Sequence, residues 1–192
     1  ANPAKIASLA KHENESLRRA AVVALRRHKS GEVSQFLKDK SPLVVMEAAR
    51  AIYDEPIPVA MPALAEMVDQ PLVDQELVRR SLNANFRLGS ADCASRLATF
   101  AARATSIPEM RIEALGILNA WSNPDPRDRV LNEFRPLDKR SVQEAASALT
   151  PQIDSLMAGE PSVREEAIRV ASTLGIKKIS PLLIERVQEE QF

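Results

Sequence analysis

A stripe of small and apolar residues that recurs six times along the chain is the feature that most constrains its fold. In each copy the residues follow a starting position at steps of four, five, seven and eight, which places them on one face of a helix. The six stripes start at Leu17, Val44, Val78, Met110, Ser141 and Val163. A helical stripe that recurs every 22 to 34 residues is typical of an array of stacked repeats.

The segments between the stripes are mostly long enough to hold one more short helix, so we expect helical hairpins that stack into a solenoid. The predicted fold is all-α: an α–α superhelix of about six helical hairpins plus a closing helix. We expect it to form a single domain over residues 1–192 that belongs to a longer polypeptide. The predicted helices cover residues 4–10, 14–28, 32–37, 42–53, 58–68, 74–88, 90–102, 107–121, 127–133, 139–149, 151–157, 162–174 and 180–190.

The composition limits the classes of function that this chain can have. The 26 Lys and Arg residues balance the 26 Asp and Glu residues, so the chain lacks the basic excess of a dedicated nucleic-acid binder or a polybasic membrane anchor. No apolar run is long enough to cross a bilayer, so we expect no membrane insertion. Cys93 is the single cysteine, which excludes an intrachain disulfide and a cysteine-based zinc site.

The sequence contains no motif for catalysis or cofactor binding. It has no glycine-rich phosphate loop, no serine nucleophile elbow and no His-Glu-x-x-His zinc motif. His12 and His28 have no metal-ligand spacing and are predicted to be surface residues. We therefore predict no catalytic residue, no metal site and no cofactor in this segment.

Two segments carry a family resemblance. Residues 42–52 (PLVVMEAARAI) and 163–167 (VREEA) resemble the core pattern of the HEAT-repeat family, including its phycobilin-lyase-like branch. The resemblance implies that the predicted superhelix is of the HEAT and armadillo type. A lyase of the bilin type would need a chromophore-sized pocket and a reactive acid, and the sequence displays neither.

A narrower resemblance covers most of the chain, from about residue 41 to residue 174. Residues 46–54, 82–89 and 121–137 are similar to the HEAT region of large multidomain haem-binding proteins of planctomycetes and their relatives, described as membrane-bound dehydrogenases. In those proteins a sugar-dehydrogenase-like propeller precedes the repeats and a c-type cytochrome follows them. The resemblance implies an exported, periplasmic bacterial parent.

The function that this resemblance implies is a non-catalytic scaffold, which spaces or docks the dehydrogenase-like and cytochrome c domains on either side of it. Proteins are therefore the expected partners. The chain has no Cys-x-x-Cys-His motif, so no haem attachment is carried over to it.

Seven arginines form a candidate interaction surface, the arginine band, on the polar arcs of two stripe helices. They are Arg18, Arg19, Arg26, Arg27, Arg79, Arg80 and Arg87. Arginines along one groove can hold phosphates without reading sequence, so a nucleic-acid-binding array is the alternative function. The zero net charge argues against it. Four arginines directly follow the starting residue of a stripe, which we call the first step. We expect these to bond turn carboxylates or carbonyls of adjacent layers instead: Arg18, Arg79, Arg111 and Arg164.

Asn83 and Asn85 take positions that small or apolar residues hold in other stripes. A buried amide needs hydrogen-bond partners, so we favour a structural role, in which these side chains bond the backbone of a neighbouring turn, over a ligand contact.

The aromatic residues Tyr53 and Trp121 lie at the ends of stripe helices, near proline turns. An exposed pair would mark a protein-binding hot spot. We favour packing in the core, with Trp121 closing a hairpin against Val130 and Phe134.

Overall fold

The computed structural model describes residues 2–71 and 74–180, and within these ranges the fold is all-α, without strands. Ten α-helices are present in the described part of the chain: α1 Pro3–Ala7, α2 Glu15–Arg27, α3 Pro42–Tyr53, α4 Met61–Ala65, α5 Gln75–Leu88, α6 Ala91–Ala102, α7 Pro108–Asn119, α8 Val142–Leu149, α9 Ile153–Met157 and α10 Pro161–Thr173. Short 3₁₀ segments lie at Ser8–Lys11, Gly31–Lys38, Pro58–Ala60, Glu66–Asp69 and Thr150–Gln152.

Capping side chains, first-turn prolines and a glycine in the left-handed conformation mark the ends of the stripe helices. The Asn14 side chain accepts hydrogen bonds from the backbone N–H groups of Ser16 and Leu17, which caps α2. Helices α3, α7 and α10 carry a proline in their first turn, where the missing N–H costs no helical hydrogen bond. Gly89 follows α5 with φ +70°, a left-handed conformation that glycine adopts at little cost.

The six predicted stripe helices are confirmed as α2, α3, α5, α7, α8 and α10, and α3 matches its predicted bounds, Pro42–Tyr53. Several of their shorter partners are 3₁₀ in whole or in part, as in Gly31–Lys38. Short helices gain few backbone hydrogen bonds for the residues they order, and 3₁₀ turns are frequent in such pieces. The predicted closing helix at 180–190 lies, after its first residue, outside the described residues.

The predicted helix at 127–133 is wrong, because these residues form a tight turn. Arg127 and Phe134 pair in an isolated antiparallel bridge, and Asn132 has φ +57°. The Asp128 carboxylate accepts hydrogen bonds from the N–H groups of Val130 and Leu131, at 2.9 and 3.0 Å. A side chain that bonds these N–H groups competes with helix formation.

The described chain divides into two compact units between Ala84 and Asn85, inside α5. In the first unit α2 packs on α3, and Val22, Leu25 and Ile52 are fully buried. Each large apolar side chain contributes roughly 1.5–3 kcal/mol when it leaves water.

In the second unit α7 packs against α6 and α10, and α6 also packs against α8. Its core includes Leu115, Leu149 and Val170, each without exposed surface. Stripe residues therefore contribute to both cores, although Leu17, which starts the first stripe, is 43% exposed. The expectation of a single domain over residues 1–192 stays a prediction.

Candidate interaction surfaces

Arg18 of the arginine band is a buried structural residue. Its guanidinium donates to both carboxylate oxygens of Asp39, at 2.7 and 3.0 Å, and to the carbonyl oxygens of His12 and Glu13, at 2.9 and 2.8 Å. Only 2% of Arg18 is exposed. The expectation that Arg18 bonds a turn carboxylate is therefore confirmed.

The Arg18–Asp39 pair holds both groups in their charged forms. The hydrogen bond to Asp39 raises the pKa of Arg18 further above its ordinary value, against the effect of burial. Burial by itself raises the pKa of Asp39, but the Arg18 hydrogen bond, the Ser41 N–H and the nearby positive charge together lower it below 3.8. An ion pair with two parallel hydrogen bonds is among the stronger polar contacts in proteins.

Further ion pairs of the first unit join residues that are about one repeat apart. Arg26 of α2 donates to Glu55 at 2.7 Å, from a position 29 residues away. Arg80 of α5 donates to both carboxylate oxygens of Asp54, at 3.0 and 3.1 Å, and is itself 9% exposed. These contacts tie α2 and α5 to the residues that follow α3.

The Arg50–Glu76 ion pair links α3 to the first turn of α5. Arg50 donates to a Glu76 carboxylate oxygen at 2.7 Å, and this hydrogen bond raises the pKa of Arg50 and lowers the pKa of Glu76. Both side chains are well exposed, at 42% and 60%. Solvent screening keeps such a pair weak, so it adds little to stability.

The remaining members of the arginine band divide into bonded and solvent-facing residues. Arg87 donates to the Asp128 carboxylate at 3.2 Å and to the Arg135 carbonyl at 3.3 Å, within the second unit. Arg19, Arg27 and Arg79 are exposed, and their side chains make no hydrogen bond or ion pair with the described residues. Four of the seven arginines thus already have carboxylate partners, and three face solvent.

The expectation for the other first-step arginines holds in one case. Arg111 is 3% exposed and donates to the Ala101 carbonyl at 2.7 Å, as expected. Arg79 and Arg164 make no bond of this kind with the described residues, so among those residues the expectation is not met for them. On α5 the inward position belongs to Arg80, one residue further along the helix.

The two stripe asparagines are buried and hydrogen-bonded. Asn83 is 1% exposed and donates to the Arg79 carbonyl of its own helix at 2.9 Å. Asn85 has no exposed surface and accepts a hydrogen bond from Arg96 of α6 at 3.2 Å. Both contacts satisfy a buried amide, as a structural role requires, while the expected bond to the backbone of a neighbouring turn stays a prediction.

Trp121 is at the centre of an aromatic and charged cluster in the second unit. Its ring centroid lies 6.0 Å from that of Phe86, and its indole N–H donates to Glu144 at 2.9 Å. The Arg140 guanidinium stacks over both rings, 4.7 Å from Trp121 and 5.2 Å from Phe86. Desolvation lowers the pKa of Arg140, while the charge of Glu144 raises it.

The packing interpretation of the two aromatic residues is confirmed, because Trp121 is fully buried and Tyr53 is 1% exposed. The expected contact of Trp121 with Phe134 is wrong, since 74% of Phe134 is exposed. The turn at 127–134 carries Phe134 outward, and Phe86 and Arg140 cover the indole instead.

An open apolar groove lies in the first unit, with a volume of about 500 Å³. No sequence motif indicates it, because its lining comes from four separate segments. The lining residues are Leu37, Lys38, Asp39, Lys40, Pro42, Val45, Met46, Met67, Gln70, Pro71, Asp74 and Leu77.

The structure shows neither a metal-binding cluster nor a membrane-spanning helix in the part of the chain that it describes. Over residues 2–71 and 74–180, no group of three or more His, Cys, Asp and Glu side chains could hold a metal ion. His12 and His28 are exposed, as predicted, and Cys93 is buried. In the same ranges no helix has the length and apolar character needed to cross a membrane.

Comparison with known proteins gives no relative: no family model matches the chain, and it matches neither a curated protein nor a solved structure.

Proposed function

We propose that this chain is a non-catalytic helical-repeat scaffold, folded as an α–α superhelix of the HEAT and armadillo type, that binds other proteins. The observation that carries the proposal is the combination of a repeated small-residue stripe with ion pairs one repeat apart. Arg26–Glu55 and Arg80–Asp54 join side chains 29 and 26 residues apart, which supports contacts between adjacent repeats. Stability in such arrays comes mainly from contacts between adjacent repeats.

The context that we propose is a spacer between dehydrogenase-like and cytochrome c domains of an exported bacterial redox protein. Its support is the sequence resemblance of residues 46–54, 82–89 and 121–137. The test is to determine the complete coding sequence, express the full protein and assay it for haem. A Cys-x-x-Cys-His motif downstream, with covalently bound haem, is the expected result. A full-length protein with neither domain would overturn this context.

The scaffold proposal is tested by titrating the separately expressed neighbouring domains into this chain and measuring heat of binding. We expect saturable binding by at least one of them. A chain that binds neither domain, and whose neighbours assemble equally well without it, is not a docking platform.

Nucleic-acid binding remains the alternative, and the exposed residues Arg19, Arg27 and Arg79 favour it. The ion pairs of Arg18, Arg26, Arg80 and Arg87 leave few arginines of the band to neutralise phosphates. Fluorescence anisotropy with a labelled duplex separates the two functions. A scaffold gives no binding at physiological salt, whereas a phosphate-binding groove gives binding that falls steeply as salt rises.

A further inference from the structure

We propose that the open groove of the first unit is a binding site for an acidic, amphipathic peptide segment of a partner protein. This inference rests on the proposed scaffold function and assigns it a site and a class of ligand. Both the shape and the charge of the groove support the assignment.

The floor of the groove is apolar and is formed by side chains that are themselves largely buried. Leu37, Val45, Met67 and Leu77 are between 4% and 8% exposed, and Met46 is partly exposed beside them. A volume of about 500 Å³ falls in the range of roughly 300–1,000 Å³ that is typical of ligand sites. Methionine side chains adapt to differently shaped apolar partners, which suits a site for peptides.

The groove is longer than its main cavity. A second cavity of about 360 Å³ shares Leu37, Lys38, Met67 and Gln70 with it and extends past Ala63. Both cavities are open to solvent. An open, extended apolar groove fits an amphipathic segment, which lays one row of side chains along it.

The charges at one end of the groove favour an acidic ligand. Lys38 and Lys40 are exposed, and their ammonium groups have no hydrogen-bond or ion-pair partner among the described residues. The carboxylate between them belongs to Asp39, whose side chain is 4% exposed and compensated by Arg18. Two uncompensated positive charges therefore remain at this rim.

The helix that starts at this rim adds to the positive potential. Pro42, Val45 and Met46 of the first turns of α3 line the groove, and the N-terminus of a helix carries a partial positive charge. At the opposite rim, Asp74 caps α5 by accepting from the N–H groups of Glu76 and Leu77. The polarity of the groove thus orients the ligand, with its acidic end toward Lys38 and Lys40.

The test starts with a random-peptide display library selected against the folded full chain. Selected peptides should combine apolar residues at helical spacing with Asp and Glu. A labelled peptide from the selection is then titrated with variants and followed by fluorescence anisotropy. The double variant Lys38→Glu/Lys40→Glu and the single variant Met46→Glu should each weaken binding about tenfold or more.

Matched controls separate the groove from general charge and hydrophobicity. The double variant Lys139→Glu/Lys177→Glu makes the same charge change at exposed lysines of the second unit, and it should bind like the wild type. Val59→Glu changes a side chain that is 74% exposed and lies outside the groove, so it should also have no effect. Circular dichroism and Tm must show that every variant is folded.

Three outcomes would overturn the assignment: no enriched peptide, enrichment without acidic residues, or binding that the groove variants leave unchanged. The last outcome would place the peptide elsewhere on the chain, so the groove would fail as a site while the scaffold function stands. If the chain binds peptide at the groove but binds neither neighbouring domain, the proposed docking of those domains fails while the groove stands as a peptide site.

Discussion

Arg18 and Arg19 are adjacent in the sequence and differ completely in their surroundings. Arg18 is 2% exposed and bonds Asp39 and two backbone carbonyls, whereas Arg19 faces solvent. Neighbouring helical positions point about 100° apart, so one of them faces the core and the other does not. At this scale a residue's role depends on its helical angle and on a partner far away in the sequence.

The Arg18–Asp39 ion pair predicts a specific pH dependence of stability. The pKa of Asp39 is lowered in the folded protein, so the folded state binds this proton less readily than the unfolded chain. Its contribution is therefore fully present above the ordinary pKa of 3.8 and is lost as pH falls below that value. Urea unfolding from pH 6 to acid should show this loss in the wild type.

The variant Asp39→Asn supplies the comparison. It should be less stable than the wild type near neutral pH, and the gap should narrow in acid. The control Asp154→Asn changes a carboxylate that is 66% exposed, so it should leave the pH profile nearly unchanged. A constant gap between wild type and Asp39→Asn at all pH values would contradict this account.

Gly89 is a second residue with a definite physical requirement. Its φ of +70° disfavours any side chain, and a Cβ at this position would lie 2.5 Å from the Arg140 guanidinium. Gly89→Ala should therefore lose about 1–2 kcal/mol for the left-handed backbone and about 1 kcal/mol more for disturbing the stack of Arg140 on the aromatic rings.

Gly175 provides the matched control for this substitution. It has φ +69°, but a Cβ added to it would meet no atom within 4 Å, so Gly175→Ala should carry the backbone cost alone. Trp121 fluorescence should change in Gly89→Ala and stay constant in Gly175→Ala. Equal stability losses and equal spectra in the two variants would show that the Arg140 stack does not matter.

At the scale of elements, the helices and the turn at 127–134 differ in which interactions determine their conformation. The stripe helices follow from local periodicity, caps and proline positions, all of which the sequence displays. Residues 127–133 contain Arg, Leu and Glu and are compatible with a helix. The turn is decided by Asp128, whose other partners, Arg87 and Arg135, come from outside the turn.

Asp128 is therefore the residue on which this element depends. Its side chain has no exposed surface and contacts the cations of Arg87 and Arg135 and the N–H groups of Val130 and Leu131. Removing it in Asp128→Ala leaves these groups without their carboxylate, and we expect a loss of about 3 kcal/mol. Urea denaturation measures this loss.

The control for the turn is Asp138→Ala, since Asp138 is exposed. It should change the free energy of unfolding by less than about 0.5 kcal/mol. A loss of similar size in both variants would show that Asp128 does not organise the turn.

At the scale of the whole molecule, the sequence predicts the class of fold better than the candidate sites. The six stripes indicate stacked helices because helical periodicity is a local property. The arginine band is harder to predict, because a polar arc does not reveal that Asp39, Asp54 or Glu55 will approach it from another repeat. The groove at Met46 and Met67 also depends on how separate segments pack together, so no single segment of the sequence predicts it.

In the proposed superhelix, successive helical layers stack into an extended array in which each layer contacts mainly its neighbours. Six layers at a helix spacing of roughly 8–10 Å would extend over about 50–60 Å. A compact chain of this length has a radius of gyration of about 16 Å. Small-angle X-ray scattering of the monomer in solution tests this arrangement most directly. We expect a radius of gyration clearly above that value and an asymmetric distance distribution, whereas a radius near 16 Å with a symmetric distribution would contradict the superhelix.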